Sequence, residues 1–156
     1  MRVVFRTDAS SLIGTGHVIR CRTLAEELRR RGADVSFITR EHAGHLAETL
    51  RQADFPTITL PQPNAPLPHG AGLYASWLGV SETTDAKETI AVLGNSKADW
   101  IVVDHYALSG DWESQVRPCA THILAIDDLA RHHSADVVLD QNYTSDPSRR
   151  YRDALP

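Results

Sequence analysis

A histidine follows two closely spaced glycines near the start of the chain. Residues 14 to 17 read Gly-Thr-Gly-His, after a short apolar run typical of a first β-strand, and helical spacing of apolar residues begins directly after His17. Backbone N–H groups and the positive end of the helix dipole disfavour an imidazolium at such a helix start. A neutral imidazole can accept a proton, so we interpret His17 as a candidate general base toward water. The structural alternative is a histidine that only caps the turn.

The glycines of this loop indicate close approach of a ligand to the backbone. Gly14, Thr15 and Gly16 match part of the dinucleotide-binding fingerprint, but Ile19 stands where its third glycine or alanine would be. A nicotinamide cofactor is therefore disfavoured, and no cofactor is predicted. We expect the glycines to let the backbone approach a sugar or a phosphate, and a loop without a ligand is the alternative.

Further polar residues follow the predicted strands, at the edge where an open α/β sheet binds its ligands. The candidate substrate-binding residues at these strand ends are Arg6, Asp8, Asp104, His105, Tyr106, Asp127, Asn142 and Tyr143. Carboxylates there could orient an imidazole, bind sugar hydroxyls or hold a divalent metal. His132 and His133 follow Asp127 and Asp128, but no ligand set has diagnostic spacing, so no metal site is predicted. Helix capping or turn formation is the structural alternative for the aspartates.

Two aromatic residues and two cysteines have weaker claims to a role. Tyr74 and Trp77 could stack on a sugar, although packing in the core or as a hydrophobic staple is the more usual role. Cys21 lies on the apolar stripe of the first predicted helix, which disfavours a nucleophile. Cys21 and Cys119 form no C-x-x-C pattern, so neither a disulfide framework nor a zinc site is implied.

Alternating strand and helix patterns must position these residues. The predicted strands are Arg2 to Arg6, Asp34 to Thr39, Thr57 to Leu60, Trp100 to Asp104, His122 to Asp127 and Val137 to Asp140. The predicted helices cover residues 18 to 28, 46 to 53, 82 to 95 and 111 to 116, with Gly32 after the first and Ser81 as a cap before the third. This order predicts an α/β fold: a Rossmann-like open, mostly parallel sheet with helices on both faces. Pro61 to Gly70 predicts a surface loop, and the polar stretch from Tyr143 to Pro156 predicts a linker.

Composition narrows the class of protein. The chain has 156 residues, 42% of them hydrophobic, and a formal net charge of −4. These values favour one globular domain and argue against a nucleic-acid partner; the run from Arg29 to Arg31 is typical of a helix end. Neither a secretory leader nor about 18 consecutive apolar residues occurs, so we expect no membrane partner and a location in the reducing cytoplasm.

Several segments in order carry a resemblance to a known family. With "FRTDASSLIGTGHVIRCRTLAEEL", "WLGVSETTDAKETI", "WIVVDHYAL" and "AIDDLARHHSADVVLDQNY", the chain resembles the nucleotide-sugar hydrolases of pseudaminic acid biosynthesis. The fold of that family is similar to the two-domain GT-B glycosyltransferases. The resemblance implies that residues 1–156 form the N-terminal half of a GT-B-type fold. It also implies a C-terminal UDP-binding domain after residue 156 as the partner of this domain.

The resemblance further implies a reaction. A UDP-sugar substrate, UDP-2,4-diacetamido-2,4,6-trideoxy-β-L-altropyranose, would be hydrolysed with inversion to UDP and 2,4-diacetamido-2,4,6-trideoxy-L-altrose. His17 would act on the water, and Gly14, Thr15 and Gly16 would belong to its loop. Two other functions stay open: a GT-B-type glycosyltransferase that uses an acceptor hydroxyl, and a non-catalytic sugar-binding module.

Overall fold

The chain folds around one parallel sheet. A computed structural model describes residues 1–63, 74–143 and 150–152. The strands are β1 (Arg2–Thr7), β2 (Asp34–Arg40), β3 (Thr57–Leu60), β4 (Ala98–Asp104), β5 (Ala120–Ile126) and β6 (Val137–Leu139). Their order across the sheet is β3-β2-β1-β4-β5-β6, and each neighbouring pair is parallel. The predicted Rossmann-like open sheet is confirmed, and these six strands pair entirely, rather than mostly, in parallel.

Five α-helices cover both faces of this sheet in the described part of the chain: α1 (Gly16–Arg30), α2 (Ala47–Gln52), α3 (Ala75–Leu78), α4 (Glu82–Leu93) and α5 (Gly110–Val116). One core cluster joins α1 and α2 to side chains such as Phe5 and Phe37. The other joins α3, α4 and α5 to side chains such as Val4 and Ile101. Neighbouring residues of β1 thus face opposite cores, as a strand buried on both sides requires.

The predicted caps explain where the helices start and stop. Ser81 precedes α4, and its hydroxyl oxygen accepts a hydrogen bond from the backbone N–H of Thr84. Gly32 follows α1 with φ +85°, the left-handed conformation that commonly ends a helix at glycine. The predicted third helix ends at Leu93 rather than Asn95, because Gly94 interrupts it with φ +62°. The sequence did not predict α3, whose four residues are too few to show helical spacing.

Strand order creates a crevice beside β1. The chain runs outward from β1 to β2 and β3, and then returns to place β4 on the other side of β1. The connections after β1 and β4 therefore diverge at their carboxyl ends, which is where open α/β sheets bind ligands. Thr7 and Asp104 are register partners at this point, so the residues that follow β1 lie beside the end of β4.

Two predicted segments lie mainly outside the described residues: the surface loop from Pro61 to Gly70 beyond position 63, and most of the linker from Tyr143 to Pro156. In the part of the chain that the structure describes, no helix is both long and apolar enough to cross a bilayer.

Candidate active site

His17 lies at the crevice, as the second residue of α1. Its Nδ1 is 2.7 Å from Oδ1 of Asp104, the last residue of β4. Burial alone would raise the pKa of Asp104, but hydrogen bonds from Arg20 and His17 outweigh burial and lower this pKa. An ionised carboxylate only accepts hydrogen bonds, which assigns the proton of a neutral His17 to Nδ1 and the lone pair to Nε2. Thr15, not His17, occupies the N-cap position of α1, so the capping alternative for His17 is wrong.

Arg20 completes this contact from the next turn of α1. Its Nε donates to Asp104 Oδ2 and its Nη2 to Oδ1, each at 2.5 Å. The guanidinium therefore grips both carboxylate oxygens, the geometry in which arginine binds carboxylates most strongly. Nη2 also lies 2.9 Å from His17 Nδ1, because both nitrogens donate to the same oxygen. Sequence reasoning missed Arg20, although its spacing of three residues from His17 places both on one face of α1.

Aromatic side chains line His17 on another side. The Tyr106 ring meets the imidazole edge-on at 4.7 Å between centroids. Trp77 lies 5.7 Å from Tyr106, with their ring planes 24° apart, and 6.2 Å from His17. Tyr74 packs against both, at 4.9 Å from Trp77 and 5.1 Å from Tyr106. Tyr74 and Trp77 are half-buried beside the site and belong to neither core cluster, so packing in the core is wrong for them, while the staple and sugar-stacking alternatives stay predictions.

The glycine loop presents exposed backbone next to His17. Gly14 has φ +81°, and no atom lies within 4 Å of the place that a Cβ would occupy at Gly14 or Gly16. Ser10 closes the loop, since its carbonyl oxygen accepts from Gly14 N and its hydroxyl oxygen from Ile13 N. Gly14, Thr15 and Gly16 are all exposed. The backbone there has the open surroundings that close approach of a ligand requires.

Arg6 and Asp8 lie at the same sheet edge but are sealed, meaning fully buried and bonded to partners inside the protein. Arg6 Nη1 donates to Asp8 Oδ1 at 2.5 Å, and Arg6 Nη2 donates to Asp85 Oδ2 of α4 at 2.5 Å. Arg40 also binds Asp85, and all four side chains have no exposed surface. Burial alone would raise the pKa of Asp8, but the Arg6 charge and further hydrogen bonds hold it well below the usual range. Partners inside the protein occupy Arg6 and Asp8, and a substrate contact for them stays a prediction.

His105 faces this sealed cluster and not the open crevice. Its Nδ1 accepts from the backbone N–H of Ala107 at 3.0 Å, and its Nε2 lies 3.5 Å from Asp8 Oδ2. Burial lowers the pKa of His105 to about 4. His105 is therefore neutral near pH 7, and the contact with Ala107 places its proton on Nε2.

The remaining predicted residues follow β5 and β6. Asp127 is buried and accepts from Arg131 Nε at 2.7 Å, so its partners are internal as well. Asp128 accepts from Tyr106 Oη at 2.6 Å and from Asn142 Nδ2 at 3.0 Å, which connects Asn142 to the aromatic side of the site. Tyr143 is 97% exposed. The structure thus brings Asp104, Tyr106 and the glycine loop to His17, links Asn142 indirectly, and leaves the side chain of Tyr143 in solvent.

Acidic, histidine and cysteine side chains of the described residues bear on metal binding and on thiol chemistry. Within the described ranges, no group of three or more His, Cys, Asp or Glu side chains is arranged to hold a metal ion. Cys21 is buried with its sulfur 3.5 Å from Asp104 Oδ2, and burial beside this carboxylate raises the pKa of the thiol well above its usual value. A protonated, buried thiol is a poor nucleophile.

Comparison with known proteins agrees with the motifs. No protein-family model matches the chain. A curated protein of Campylobacter jejuni, named UDP-2,4-diacetamido-2,4,6-trideoxy-beta-L-altropyranose hydrolase, is 28% identical to this chain over 143 residues. This chain is similar to that hydrolase. The match covers 91% of this chain but 42% of the length of the relative, and at this identity it supports a related function.

Proposed function

We propose that this chain supplies the general base of an enzyme that hydrolyses UDP-2,4-diacetamido-2,4,6-trideoxy-β-L-altropyranose. The products would be UDP and 2,4-diacetamido-2,4,6-trideoxy-L-altrose. The observation that carries the proposal is the 2.7 Å contact between His17 Nδ1 and Asp104, which orients the imidazole at the crevice beside the glycine loop. The similarity to the named hydrolase supports the choice of substrate.

In the proposed step, the oxygen of a water molecule forms a bond to the anomeric carbon of the sugar. The bond from that carbon to the diphosphate oxygen breaks, and UDP leaves with the bonding electrons. His17 Nε2 accepts the proton of the attacking water, and Asp104 stabilises the resulting imidazolium through Nδ1. Attack on the face opposite to UDP inverts the anomeric configuration. Oriented proton acceptance of this kind contributes about 10²–10⁴-fold to a rate.

Substrate binding in this proposal uses the surfaces around His17. The exposed backbone of Gly14, Thr15 and Gly16 would approach the nucleotide-sugar, and the Tyr106 ring would contact the sugar. The strand ends next to the substrate would be fixed by four residues with internal partners: Arg6, Asp8, His105 and Asp127. The segment after β6 would contribute substrate contacts from Asn142 and Tyr143. We place most UDP contacts in a C-terminal domain outside residues 1–156, and the enzyme in the cytoplasm.

The decisive variant is His17→Ala, introduced into the full-length protein. We expect UDP release to fall at least about 100-fold, because the proton acceptor is lost. UDP and the free sugar are measured by chromatography, and circular dichroism with thermal unfolding verifies the fold. His132→Ala is the matched control, since His132 is exposed on the segment after β5. Full turnover in His17→Ala would contradict the assignment of the base.

Product analysis separates hydrolysis from the other two functions. Free UDP and free sugar formed without an acceptor, with ¹⁸O from labelled water at the anomeric carbon, support hydrolysis. UDP formed only when an acceptor alcohol is present would indicate a glycosyltransferase. Binding of the UDP-sugar without any turnover would indicate a binding module.

A further inference from the structure

Arg20 is poorly explained as a residue that only stabilises the fold. Its side chain is 27% exposed, yet its guanidinium makes two 2.5 Å hydrogen bonds to the fully buried Asp104. A neighbouring arginine of the same helix, Arg22, instead forms an exposed pair with Glu26 at 2.8 Å. Arg20 therefore holds the carboxylate that orients the proposed base, from a position at the rim of the site.

Charge shows what this contact does for His17. An unpaired carboxylate beside an imidazole favours the imidazolium form, and an imidazolium cannot accept a proton from water. Arg20 places a positive charge on both oxygens of Asp104 and within 2.9 Å of His17 Nδ1. Asp104 can thereby hold the Nδ1–H while its charge is already compensated.

The other titratable groups that face His17 do not supply this positive charge. Burial and the Asp128 carboxylate raise the pKa of Tyr106 to about 12, so the phenol is neutral near pH 7. The His105 ring, 6.5 Å away, is neutral because burial lowers its pKa to about 4. Asp104 comes from β4 and Arg20 from α1, and α3 contributes the uncharged Trp77. In the described part of the site, the cation next to His17 is Arg20.

We infer that Arg20 is a positioning residue that fixes the Asp104 carboxylate and offsets its charge, so that His17 remains able to take a proton from water. The inference rests on the proposed function for the reaction itself. Its structural part, control of the protonation of His17, can be measured without any turnover.

The first experiment compares pH–rate profiles of UDP release for the wild-type protein and for Arg20→Gln, Arg20→Lys and Arg22→Gln. Glutamine removes the charge, so we expect the acidic limb of the Arg20→Gln profile to move up by about one pH unit. Lysine retains the charge but cannot form the bidentate hydrogen bonds to Asp104. The acidic limb of the Arg20→Lys profile should therefore stay in place while turnover falls a few-fold. Arg22→Gln, on the same helix, should match the wild-type protein in both respects.

The second experiment follows the His17 ring by NMR with ¹⁵N-labelled histidine across the same pH range. In Arg20→Gln, the titration midpoint of the ring signals should move up by about one pH unit, and in Arg22→Gln it should not move. A loss of packing alone would lower stability but would not shift this midpoint selectively.

The two experiments fail in different ways. A shifted midpoint without hydrolysis in any variant would reject the proposed function and support the role of Arg20. Hydrolysis by the wild-type protein with an unmoved limb and midpoint in Arg20→Gln would overturn the role of Arg20. If Arg20→Gln does not fold, Arg20→Lys decides: an unmoved limb with turnover a few-fold lower supports the inference, and unchanged turnover or a limb displaced by about one pH unit contradicts it.

Discussion

Two histidines of this protein have a carboxylate at the same distance but in different surroundings. His17 Nδ1 lies 2.7 Å from Asp104, and His133 Nδ1 lies 2.7 Å from Glu113 of α5. Asp104 is shared with Arg20, whereas the second nitrogen of His133 faces another carboxylate, Asp127, at 3.4 Å. The side chain of His133 is 1% exposed and that of His17 is 7% exposed, and both polar contacts described for the His17 ring involve Nδ1.

The two histidines differ in the net charge of the side chains around them. Around His17, the charges of Asp104 and Arg20 cancel, so the group is neutral when the imidazole is neutral. Around His133, Glu113 and Asp127 carry two negative charges, and Arg131 bound to Asp127 carries one positive charge. Neutrality there requires an imidazolium. Burial alone would lower the pKa of His133, but Asp127 and Glu113 raise it to about 9. The 2.7 Å contact of His17 therefore supports a base only together with the charge of Arg20 on Asp104 and the exposed glycine loop beside it.

The largest expected effect on stability separates the two sites directly. His133→Gln should lower the free energy of unfolding at pH 7 by about 3 kcal/mol, because it leaves a buried excess of negative charge. His17→Gln should cost less than about 1 kcal/mol, since the Asp104–Arg20 pair remains intact. Urea denaturation measures both values. Equal losses in the two variants would contradict the distinction between a structural cation and a site residue.

A second pair of variants tests the carboxylates. Asp104→Asn should lower UDP release by about 10²–10⁴-fold, because an amide no longer holds the Nδ1–H tautomer of His17. Glu113→Gln, the matched change beside His133, should leave kcat unchanged and lower stability instead. Steady-state kinetics and urea denaturation on both variants provide the readouts. Full turnover in Asp104→Asn would remove Asp104 from the site.

The fold could be predicted because its signals are local. Each strand of the sheet is a short apolar run, and α1 and α4 show helical spacing with Gly32 and Ser81 at their ends. Strand ends differ from the predicted ones by at most two residues, as at the start of β4, where Ala98 joins the sheet before Trp100. α3 was missed because one helical turn has too few positions for a periodic pattern.

The site was predictable only in part because its contacts are distant in sequence. The position of residues at strand ends selected Asp104 and Tyr106, which the structure places beside His17, but it selected Arg6 by the same reasoning. Arg6 is sealed because Asp85, 79 residues away, reaches it from α4. The Arg20–Asp104 contact spans 84 residues and depends on the register of β1 with β4, which no local pattern reveals.

The pH dependence of stability tests the charge argument by its sign. His133 has a folded pKa of about 9, above the ordinary value of 6.5, so it contributes stability that is fully present below about pH 6.5 and is lost as pH rises through 9. His105, with a folded pKa of about 4, acts oppositely: its contribution is lost as pH falls from 6.5 toward 4.

Between pH 6.5 and 9, the free energy of unfolding should therefore fall by up to about 1.4 kcal/mol per pH unit in the wild-type protein. The slope should be markedly smaller in His133→Gln, measured by urea denaturation at each pH. An equal slope in both proteins would show that His133 is not held as a cation, and the charge contrast with His17 would then be wrong.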